Sequence, residues 1–280
     1  MKITGKVVLS RLPLSPRIWH RVGLFSPGEM RSPAYAVSVF QRHFRQAGAA
    51  GAGFRYLELG PGGSMATALV AWAHGAGGGY LVDTEPMVPY ATTVYQDLLS
   101  RLAADGASRD LAPLMACSDS ESMLRAAHAT YLEEGLQSLR GLRSEDVDFL
   151  FSHAVLEHVP RKSFAEICGE FYRILKPGGT ASHVVDFQDH LGGSLHNLRF
   201  SERLWEAPWF ARRSGFYTNR LRYSDMLEHF ERAGFKVDVM DVNHWSTLPL
   251  PRHALHVDFQ NRTKDDLHIA GAHFRLTKRE

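Results

Sequence analysis

Residues 54–69 read FRYLELGPGGSMATAL, and this stretch decides the fold. A short apolar run carries an acidic residue, Glu58, near its end, breaks into a glycine-rich turn, and resumes as small and apolar residues from Ala66. This order predicts a strand, a tight turn and a helix, the unit that brings a nucleotide-like ligand against bare backbone. Glycines suit such a turn because a residue without Cβ adopts unusual φ values and allows a ligand to approach closely.

A second apolar run, YLVD, ends at Asp83, about twenty residues after the turn. An acidic side chain at that place can accept hydrogen bonds from both hydroxyls of a ribose, in a dehydrogenase or in a methyltransferase. A dinucleotide fingerprint requires a third glycine where Met65 stands. Glu58, two residues before Gly60, instead suits the ammonium group of S-adenosylmethionine. The sequence therefore favours the methyl donor over a nicotinamide dinucleotide.

Later segments follow in an order that is typical of one superfamily. They are VDFLFSHAVLEHV at residues 147–159, RILKPGG at 173–179, which ends a helix at Pro-Gly-Gly, and AGFKV at 233–237. Together with ELGPG and LVD, this series resembles the class I S-adenosylmethionine-dependent methyltransferases over residues 54–242. The motifs are specific for the superfamily and carry much less information about the methyl acceptor.

The resemblance implies an α/β, Rossmann-like fold with a seven-stranded, mainly parallel sheet in the order 3-2-1-4-5-7-6. The last strand is expected to be antiparallel and to lie at residues 267–276, where side chains alternate with the period of a strand. We expect residues 1–53 to form an N-terminal helical arm or lid and residues 54–280 to form the methyltransferase domain. Residues 25–35 are expected to cover the donor and acceptor pockets, although a packing arm without ligand contacts fits the sequence equally well.

Two inserts, at about 188–219 and 243–266, separate the last strands. Both begin at the carboxyl ends of strands, where ligands of open α/β sheets bind, so acceptor selectivity is expected there. The run NRLR at residues 219–222 fits two interpretations. Its arginines can bind a carboxylate, a phosphate or a sugar hydroxyl, or they can tie the first insert to Asp186 or Asp189.

The resemblance also implies where the cosubstrate, S-adenosyl-L-methionine, binds. The expected contacts come from the turn and from the ends of the first, second and fourth strands: Glu58, Gly60, Pro61, Gly62, Asp83, Ser152 and His153. Ser64 stands where the commonest loop of this family has its third glycine, which leaves the contacts at Gly63 and Ser64 open. For the adenine ring, Glu133 and Glu134 are the nearest acidic candidates, but adjacent glutamates are more often a solvated surface.

Polar side chains after the fourth and fifth strands are the candidates for catalysis. An oxygen acceptor must lose its proton, and a histidine or carboxylate near the methyl group is the usual base. We expect that base among His158, Asp186 and His190, with Asp189 in support. Structural roles remain open, with His158 packing beside Glu157 at the start of a helix and Asp189 capping a helix that leaves His190 on the surface.

Carboxylate oxygens of this region, with Glu157 and His158, could hold a divalent metal that chelates a vicinal diol. Spacing alone fixes no coordination sphere, so a metal-free site is the favoured prediction. The two cysteines, Cys117 and Cys168, indicate neither a disulfide framework nor a metal cluster.

Composition narrows the class of partner. The 280 residues include 32 basic and 30 acidic side chains, a net charge of +2, which does not suggest the basic stripe of a nucleic-acid enzyme. Basic residues and prolines interrupt the apolar runs near the N-terminus, so neither a secretory segment nor a membrane span is predicted. We expect a cytoplasmic enzyme with a small-molecule acceptor, no nucleic-acid or membrane partner, and no specified oligomeric state.

The favoured function is methyl transfer to a small molecule, with O-methylation of a sugar or secondary metabolite suggested by the His/Asp cluster. An N- or C-methyltransferase on the same fold is the alternative within enzymes. The Asp/Asn-Pro-Pro-aromatic motif usual for amino-group methylation is absent, since the chain has SHAV at residues 152–155. Alternatives from other classes are a dehydrogenase and a module that binds the nucleoside without catalysis.

Overall fold

The computed structural model describes residues 32–48, 51–88, 91–211 and 216–279. Within these ranges the strands join into a seven-stranded sheet in the order β3-β2-β1-β4-β5-β7-β6. Neighbouring strands are parallel from β3 to β5, and β7 is antiparallel to both of its neighbours. The predicted fold class, strand order and antiparallel last strand are confirmed. The strands are β1 Arg55–Leu59, β2 Gly78–Val82, β3 Ala129–Leu132, β4 Val147–His153, β5 Leu175–Asp186, β6 Lys236–His244 and β7 Ile269–Thr277.

Helices cover both faces of this sheet. Among the described residues, none of them is long and apolar enough to cross a bilayer. The α-helices are α1 Pro33–Phe44, α2 Ala66–Ala73, α3 Thr92–Ala104, α4 Ala112–Met115, α5 Ser120–Ala126, α6 Leu136–Gly141, α7 Arg161–Ile174, α8 Glu202–Trp205, α9 Pro208–Ala211, α10 Tyr223–Arg232, α11 Val257–Gln260 and α12 Lys264–His268. Short 3-10 helices lie at His196–Arg199 and Arg252–Ala254.

The central strands are buried on both sides, which explains why they read as nearly continuous apolar runs. Successive side chains of a strand point to opposite faces. In β1, Tyr56 joins a core formed with α1, α2 and α3, whereas Leu57 joins a core formed with α7 and α10. In β4, Phe151 and Leu150 divide between the same two cores. The face on which a polar residue of these strands lies is therefore fixed by its position in the sequence.

Helix α1 belongs to the core of the domain. Ala36, Val37 and Phe40 are buried, and the Phe40 ring meets Phe151 edge-on at 6.0 Å between centroids. The described part of the predicted N-terminal arm therefore packs on the sheet as a structural helix. Residues 25–31, most of the segment that we expected to cover the pockets, lie outside the described residues, so the covering role stays a prediction.

Two expected boundaries are corrected. Strand β7 begins at Ile269 instead of residue 267, because Lys264–His268 forms a short helix whose first turn is capped by the Thr263 side chain. Helix α7 ends at Ile174, before the Pro-Gly-Gly sequence. Leu175 already pairs with Val147 of β4, so the strand begins ahead of the turn that the sequence suggested as its start.

The two inserts pack against each other at the carboxyl edge of the sheet. Leu198 of the first insert contacts an apolar cluster with Leu255 and Phe259 of the second. The backbone N–H of His256 donates to the carbonyl of Leu198 over 2.8 Å. The inserts therefore form a continuous layer above the ends of β5 and β6.

Arg222 ties this layer to the sheet. Its side chain is buried, and its guanidinium donates to the carbonyls of Phe187, Asp266 and Ile269 over 2.6 to 3.0 Å. Burial lowers the pKa of Arg222 to about 10, so the group stays charged at neutral pH. Arg222 therefore has a structural role, but its hydrogen-bond partners are backbone carbonyls instead of the expected carboxylates of Asp186 or Asp189.

Replacing Arg222 by leucine is expected to destabilise the fold, because three buried carbonyls lose their donor. We expect a loss on the order of 2–4 kcal/mol in the free energy of unfolding, measured by urea denaturation. Arg199, which is exposed, provides the matched control Arg199→Leu. An unchanged unfolding midpoint in Arg222→Leu would contradict this structural role.

Candidate donor and acceptor site

The glycine turn after β1 is held between the ends of β2 and β4. The Gly60 N–H donates to the Val82 carbonyl over 2.8 Å, and the Gly62 N–H donates to an oxygen of Asp83 over 3.1 Å. Gly60 has a φ of 74°, and a Cβ on it would lie 2.4 Å from the Val155 side chain. Only glycine fits there, because both the backbone conformation and the space exclude a side chain.

The next residues of the turn border open space. Gly62 is exposed, and the position that its Cβ would take has no neighbour within 4 Å among the described residues. Pro61 is buried beside it. Ser64, which replaces the usual third glycine, is buried, and its Oγ accepts a hydrogen bond from the Ala66 N–H over 3.1 Å. The serine therefore provides an acceptor for the first N–H of α2, while the bare backbone of Gly62 stays accessible to a ligand.

Asp83 follows β2 with its carboxylate fixed by backbone donors. One oxygen accepts from the N–H groups of Thr84 and Glu85 over 2.7 and 3.3 Å, and the other accepts from the glycine turn. A carboxylate has about four lone-pair positions, so acceptor capacity remains for a ribose diol. The adenine candidates Glu133 and Glu134 are both exposed at the end of β3.

Glu58 is buried under the turn, with 2% of its surface exposed. Its Oε2 has no hydrogen-bond partner among the described residues. Burial raises the pKa of Glu58 to about 8; the nearby Thr67 hydroxyl opposes the shift, and the charge of Asp83 adds to it. A buried carboxyl with an unpartnered oxygen is costly as an anion, so an ammonium group placed next to it would be strongly favoured.

Ser152 and His153, the last residues of β4, point to opposite faces. The Ser152 side chain is fully buried, with its Oγ 2.8 Å from Nδ1 of His183, so a contact of Ser152 with the donor would come from its backbone. His153 is half-buried on the α1 side, where its ring meets Tyr35 edge-on at 6.4 Å between centroids. Of the two, His153 can present its side chain at the carboxyl edge.

The three residues expected to act in catalysis come together. The rings of His158 and His190 meet at 69°, with their centroids 4.8 Å apart, and Asp186 lies close enough to interact with His158 electrostatically. Nδ1 of His158 lies 3.0 Å from the carbonyl of Tyr217. A carbonyl can only accept, so Nδ1 carries the hydrogen and Nε2 keeps its lone pair.

Electrostatics favour the neutral form of His158. Solvent reaches its ring, but protein surrounds the remaining sides, and this desolvation lowers its pKa, with His190 adding to the shift. Burial raises the pKa of Asp186, opposed by hydrogen bonding from the Gln188 N–H and by the nearby His158. A neutral imidazole beside a carboxylate can take up a proton and have the resulting charge stabilised.

Glu157 is a second buried carboxyl at this edge. We expected it at the start of a helix, but α7 begins only at Arg161. Its Oε1 lies 3.4 Å from the N–H of Asp186, its Oε2 has no partner among the described residues, and burial raises its pKa to about 8. At neutral pH the side chain is therefore mostly protonated.

Asp189 is not placed to support the base. It is 2% exposed, and its oxygens accept from the N–H groups of Leu191 and His196. The carboxylate holds the loop after β5, which is a structural role but not the helix cap of the structural alternative, and His190 next to it is only half exposed. Within the described ranges, no group of three His, Cys, Asp or Glu side chains is arranged to hold a metal ion, and both cysteines are free.

A further polar cluster, which we did not predict, lies on the α1 face of the sheet. Nδ1 of His43 lies 2.8 Å from Oγ of Ser182, which lies 2.8 Å from Nε2 of His273, and Nε2 of His43 lies 3.0 Å from Nδ1 of His153. These residues come from α1, β4, β5 and β7. The single available signal was a histidine on the apolar face of the predicted α1.

Comparison with known proteins was made on sequence and on structure. Residues 95–182 match the family model of a methyltransferase domain, and no curated protein matches the chain significantly. Among solved structures, the chain is similar to phosphoethanolamine N-methyltransferase 2 of Haemonchus contortus, at 16% identity and a TM-score of 0.49, covering 98% of this chain and 60% of the other. It is also similar to the arsenic(III) S-adenosylmethionine methyltransferase of Chlamydomonas reinhardtii, at 17% identity and a TM-score of 0.42, with 82% of this chain and 64% of the other covered. A third similar structure is that of the YcgJ protein of Bacillus subtilis, at 12% identity and a TM-score of 0.46, with 88% of this chain and 99% of the other covered.

The strand order is that of the Rossmann-like methyltransferase fold, and residues 95–182, less than half of the chain, match the model of a methyltransferase domain. Both findings support an S-adenosylmethionine-dependent methyltransferase, for which S-adenosyl-L-methionine is the cosubstrate. The site residues fit this molecule, because the unpartnered oxygen of Glu58 suits an ammonium group and the fixed carboxylate of Asp83 suits a ribose diol. The open backbone at Gly62 leaves space between them.

Replacing Asp83 by alanine is expected to weaken binding of S-adenosylhomocysteine, because two ribose hydroxyls lose their acceptor. We expect a loss on the order of 1–3 kcal/mol in calorimetry. Asp105→Ala, on an exposed helix end, is the matched control. Unchanged affinity in Asp83→Ala would show that another residue binds the ribose.

Donor binding is expected to release a proton from Glu58. With a pKa of about 8 the carboxyl is mostly protonated at pH 7, and an adjacent ammonium favours the ionised form. Affinity for S-adenosylhomocysteine should therefore rise between pH 7 and pH 8, and calorimetry in buffers of different ionisation enthalpy should detect the released proton. Glu58→Gln should bind more weakly and lose this dependence. The same pH dependence in Glu58→Gln would contradict the assignment.

Proposed function

We propose that this enzyme transfers the methyl group to a hydroxyl oxygen of a small molecule, such as a sugar or a secondary metabolite. The observation that carries the proposal is the cluster of His158, Asp186 and His190 at the carboxyl edge of β4 and β5. Nδ1 of His158 is occupied by a carbonyl, so Nε2 is the nitrogen that can accept a proton. An alcohol needs such a base, because its oxygen becomes a good nucleophile only as the proton leaves.

The donor supplies an electrophilic methyl group on a positively charged sulfur. In the proposed reaction, Glu58 and Asp83 hold the donor in place, and the glycine turn keeps side chains away from it. His158 then receives the hydroxyl proton at Nε2 while the acceptor oxygen attacks the methyl carbon, the bond from that carbon to sulfur breaks, and S-adenosylhomocysteine leaves as a neutral thioether. Asp186 stabilises the imidazolium that forms, and His190 fixes the ring from the side. Charge is dispersed as the methyl group moves, so accurate positioning contributes much of the rate.

A small acceptor is supported by the surroundings of the cluster. His158 bonds to the carbonyl of Tyr217 in the first insert, and the Asn219 side chain donates to the carbonyls of Leu156 and Val159 over 2.8 and 2.9 Å. The insert is therefore fastened directly to the loop that carries His158. Such a layer narrows access to the cluster, and the near-neutral charge of the chain provides no electrostatic footprint for nucleic acid.

The test begins with a labelled methyl donor and pools of hydroxylated metabolites, followed by identification of the methylated product. With that acceptor, His158→Gln is expected to lower kcat by about 10²- to 10⁴-fold, the usual contribution of a general base, and Asp186→Asn and His190→Gln should have smaller effects. Affinity for S-adenosylhomocysteine should not change in any of them.

His253→Gln, an exposed histidine of the second insert, is the control. In the wild-type enzyme, kcat should fall at low pH as His158 becomes protonated, with a midpoint below that of an ordinary histidine. An unchanged kcat in all three variants would show that none of His158, Asp186 and His190 acts as a general base or supports one. Methylation of nitrogen or carbon, or binding without turnover, would refute the O-methyltransferase assignment.

A further inference from the structure

A hydrogen-bonded chain of side chains connects the carboxyl edge of β4 with β7. It runs from His153 through His43 and Ser182 to His273, with successive separations of 3.0, 2.8 and 2.8 Å between the bonded atoms. His43 and Ser182 are completely buried, and 4% of His273 is exposed. His153 is half-buried at the open end of the chain.

The histidines of this chain are neutral at physiological pH. Burial lowers the pKa of His43 well below its usual value, and the neighbouring His153 and His273 add to the shift. Burial also lowers the pKa of His153 and of His273 to about 4, with Arg42 as the next cause for both. Each ring therefore carries one hydrogen and one lone pair, and each hydrogen bond of the chain determines which nitrogen of the next ring carries the hydrogen.

Three arrangements of hydrogens satisfy every bond between these four side chains. In the first, Nδ1 of His153 donates to His43, His43 donates from Nδ1 to Ser182, and the Ser182 hydroxyl donates to Nε2 of His273. In the second, every donor and acceptor is exchanged. In the third, Ser182 accepts from both His43 and His273, because a hydroxyl oxygen has two lone pairs, and His153 again donates from Nδ1. A hydrogen on Nδ1 of His273 therefore requires a hydrogen on Nδ1 of His153.

Charge at the pocket favours the first and third arrangements, which both place a hydrogen on Nδ1 of His153. At His273, the effect of the cross-strand partner Asp241 is smaller than the opposite effect of Arg42, so these charges do not choose between the two arrangements. At the other end, the bound donor is cationic, and a lone pair on His153 faces it more favourably than a hydrogen does.

His153 stands beside the donor turn. Its neighbour Ser152 pairs with Leu59, the residue before Gly60, and no described residue forms a hydrogen bond with Nε2 of His153. We propose that the buried chain holds His153 with its hydrogen on Nδ1, so that Nε2 accepts a hydrogen bond from a second hydroxyl of the methyl acceptor. The acceptor is then a polyhydroxylated molecule, with one hydroxyl deprotonated at His158 and another bound by His153.

This assignment rests on the proposed function, because it takes the acceptor to be a hydroxyl compound. His153 is the group that touches the acceptor, whereas His43, Ser182 and His273 are positioning residues that act through it. A positioning role predicts two separate effects. Breaking the hydrogen bonds between His43, Ser182 and His273 should change the tautomer of His153, and changing that tautomer should change the affinity for the acceptor.

The first experiment measures tautomers without any acceptor. Histidine labelled with ¹⁵N in the wild-type enzyme, with S-adenosylhomocysteine bound, should show His153 protonated on Nδ1, with its signal assigned from its loss in His153→Gln. Ser182→Thr keeps the hydroxyl and should keep this tautomer. Ser182→Val has the same shape without the hydroxyl and should give a mixture. A wild-type His153 protonated on Nε2 would overturn the proposal, and this measurement needs no Ser182 variant to fold.

The second experiment uses the acceptor identified by methylation. Ser182→Val and His153→Ala should raise KM for the acceptor by about 3- to 10-fold relative to Ser182→Thr and wild type, the effect of one lost hydrogen bond, with a smaller change in kcat. A deoxy analogue that lacks the hydroxyl bound by His153 should have a KM raised by the same factor with the wild-type enzyme, but an unchanged KM with His153→Ala. If every deoxy analogue raises KM equally with both enzymes, His153 binds no hydroxyl. That result leaves O-methylation intact, whereas an acceptor methylated at nitrogen or carbon refutes the proposed function itself.

Discussion

The alternation of side chains across the two buried faces of β4 and β5 governs both the core and the site. Phe151 and His153 face α1, whereas Leu150 and Ser152 face α7 and α10. In a strand that is covered on both sides, every polar side chain is removed from water. Each polar side chain therefore needs a hydrogen-bond partner on its own face of the sheet. Ser152 pairs with His183 on one side, and His153 joins the buried chain on the other.

Burial keeps the ionisable groups of this region uncharged until a ligand provides compensation. Glu58 and Glu157 each have a pKa of about 8 and an oxygen without a partner among the described residues. The histidines nearby have lowered pKa values for the same physical reason. A cationic donor brings the charge that Glu58 lacks. The cost of burying this carboxyl in the protein therefore becomes selectivity for a ligand with an ammonium group.

Local motifs predicted the parts of the structure that depend on local geometry. The glycine turn and Asp83 follow from the spacing within one strand-turn-helix unit, whereas the strand order follows from the resemblance to the methyltransferase superfamily. The chain through His43, Ser182 and His273 was not predictable, because its members are brought together by sheet pairing across most of the sequence. Asp189 was expected in the pocket, but its carboxylate accepts from backbone N–H groups of its own loop. The sequence pattern does not indicate which of these two orientations a carboxylate adopts.

The inserts show why selectivity for the acceptor is a property of the whole carboxyl edge. The charged side chains of Arg222 and Asp189 form hydrogen bonds with backbone groups and so hold the inserts in place. Few of their donor and acceptor positions are then available to a ligand. Among the described residues, His153 and Asp186 end β4 and β5 with accessible polar atoms, and His158 and His190 follow these strands at the same edge. In the proposed reaction the strands thus provide the chemistry, while the inserts determine which hydroxyl compounds can reach it. A change of acceptor would then require new shapes in the insert layer more than new residues at the strand ends.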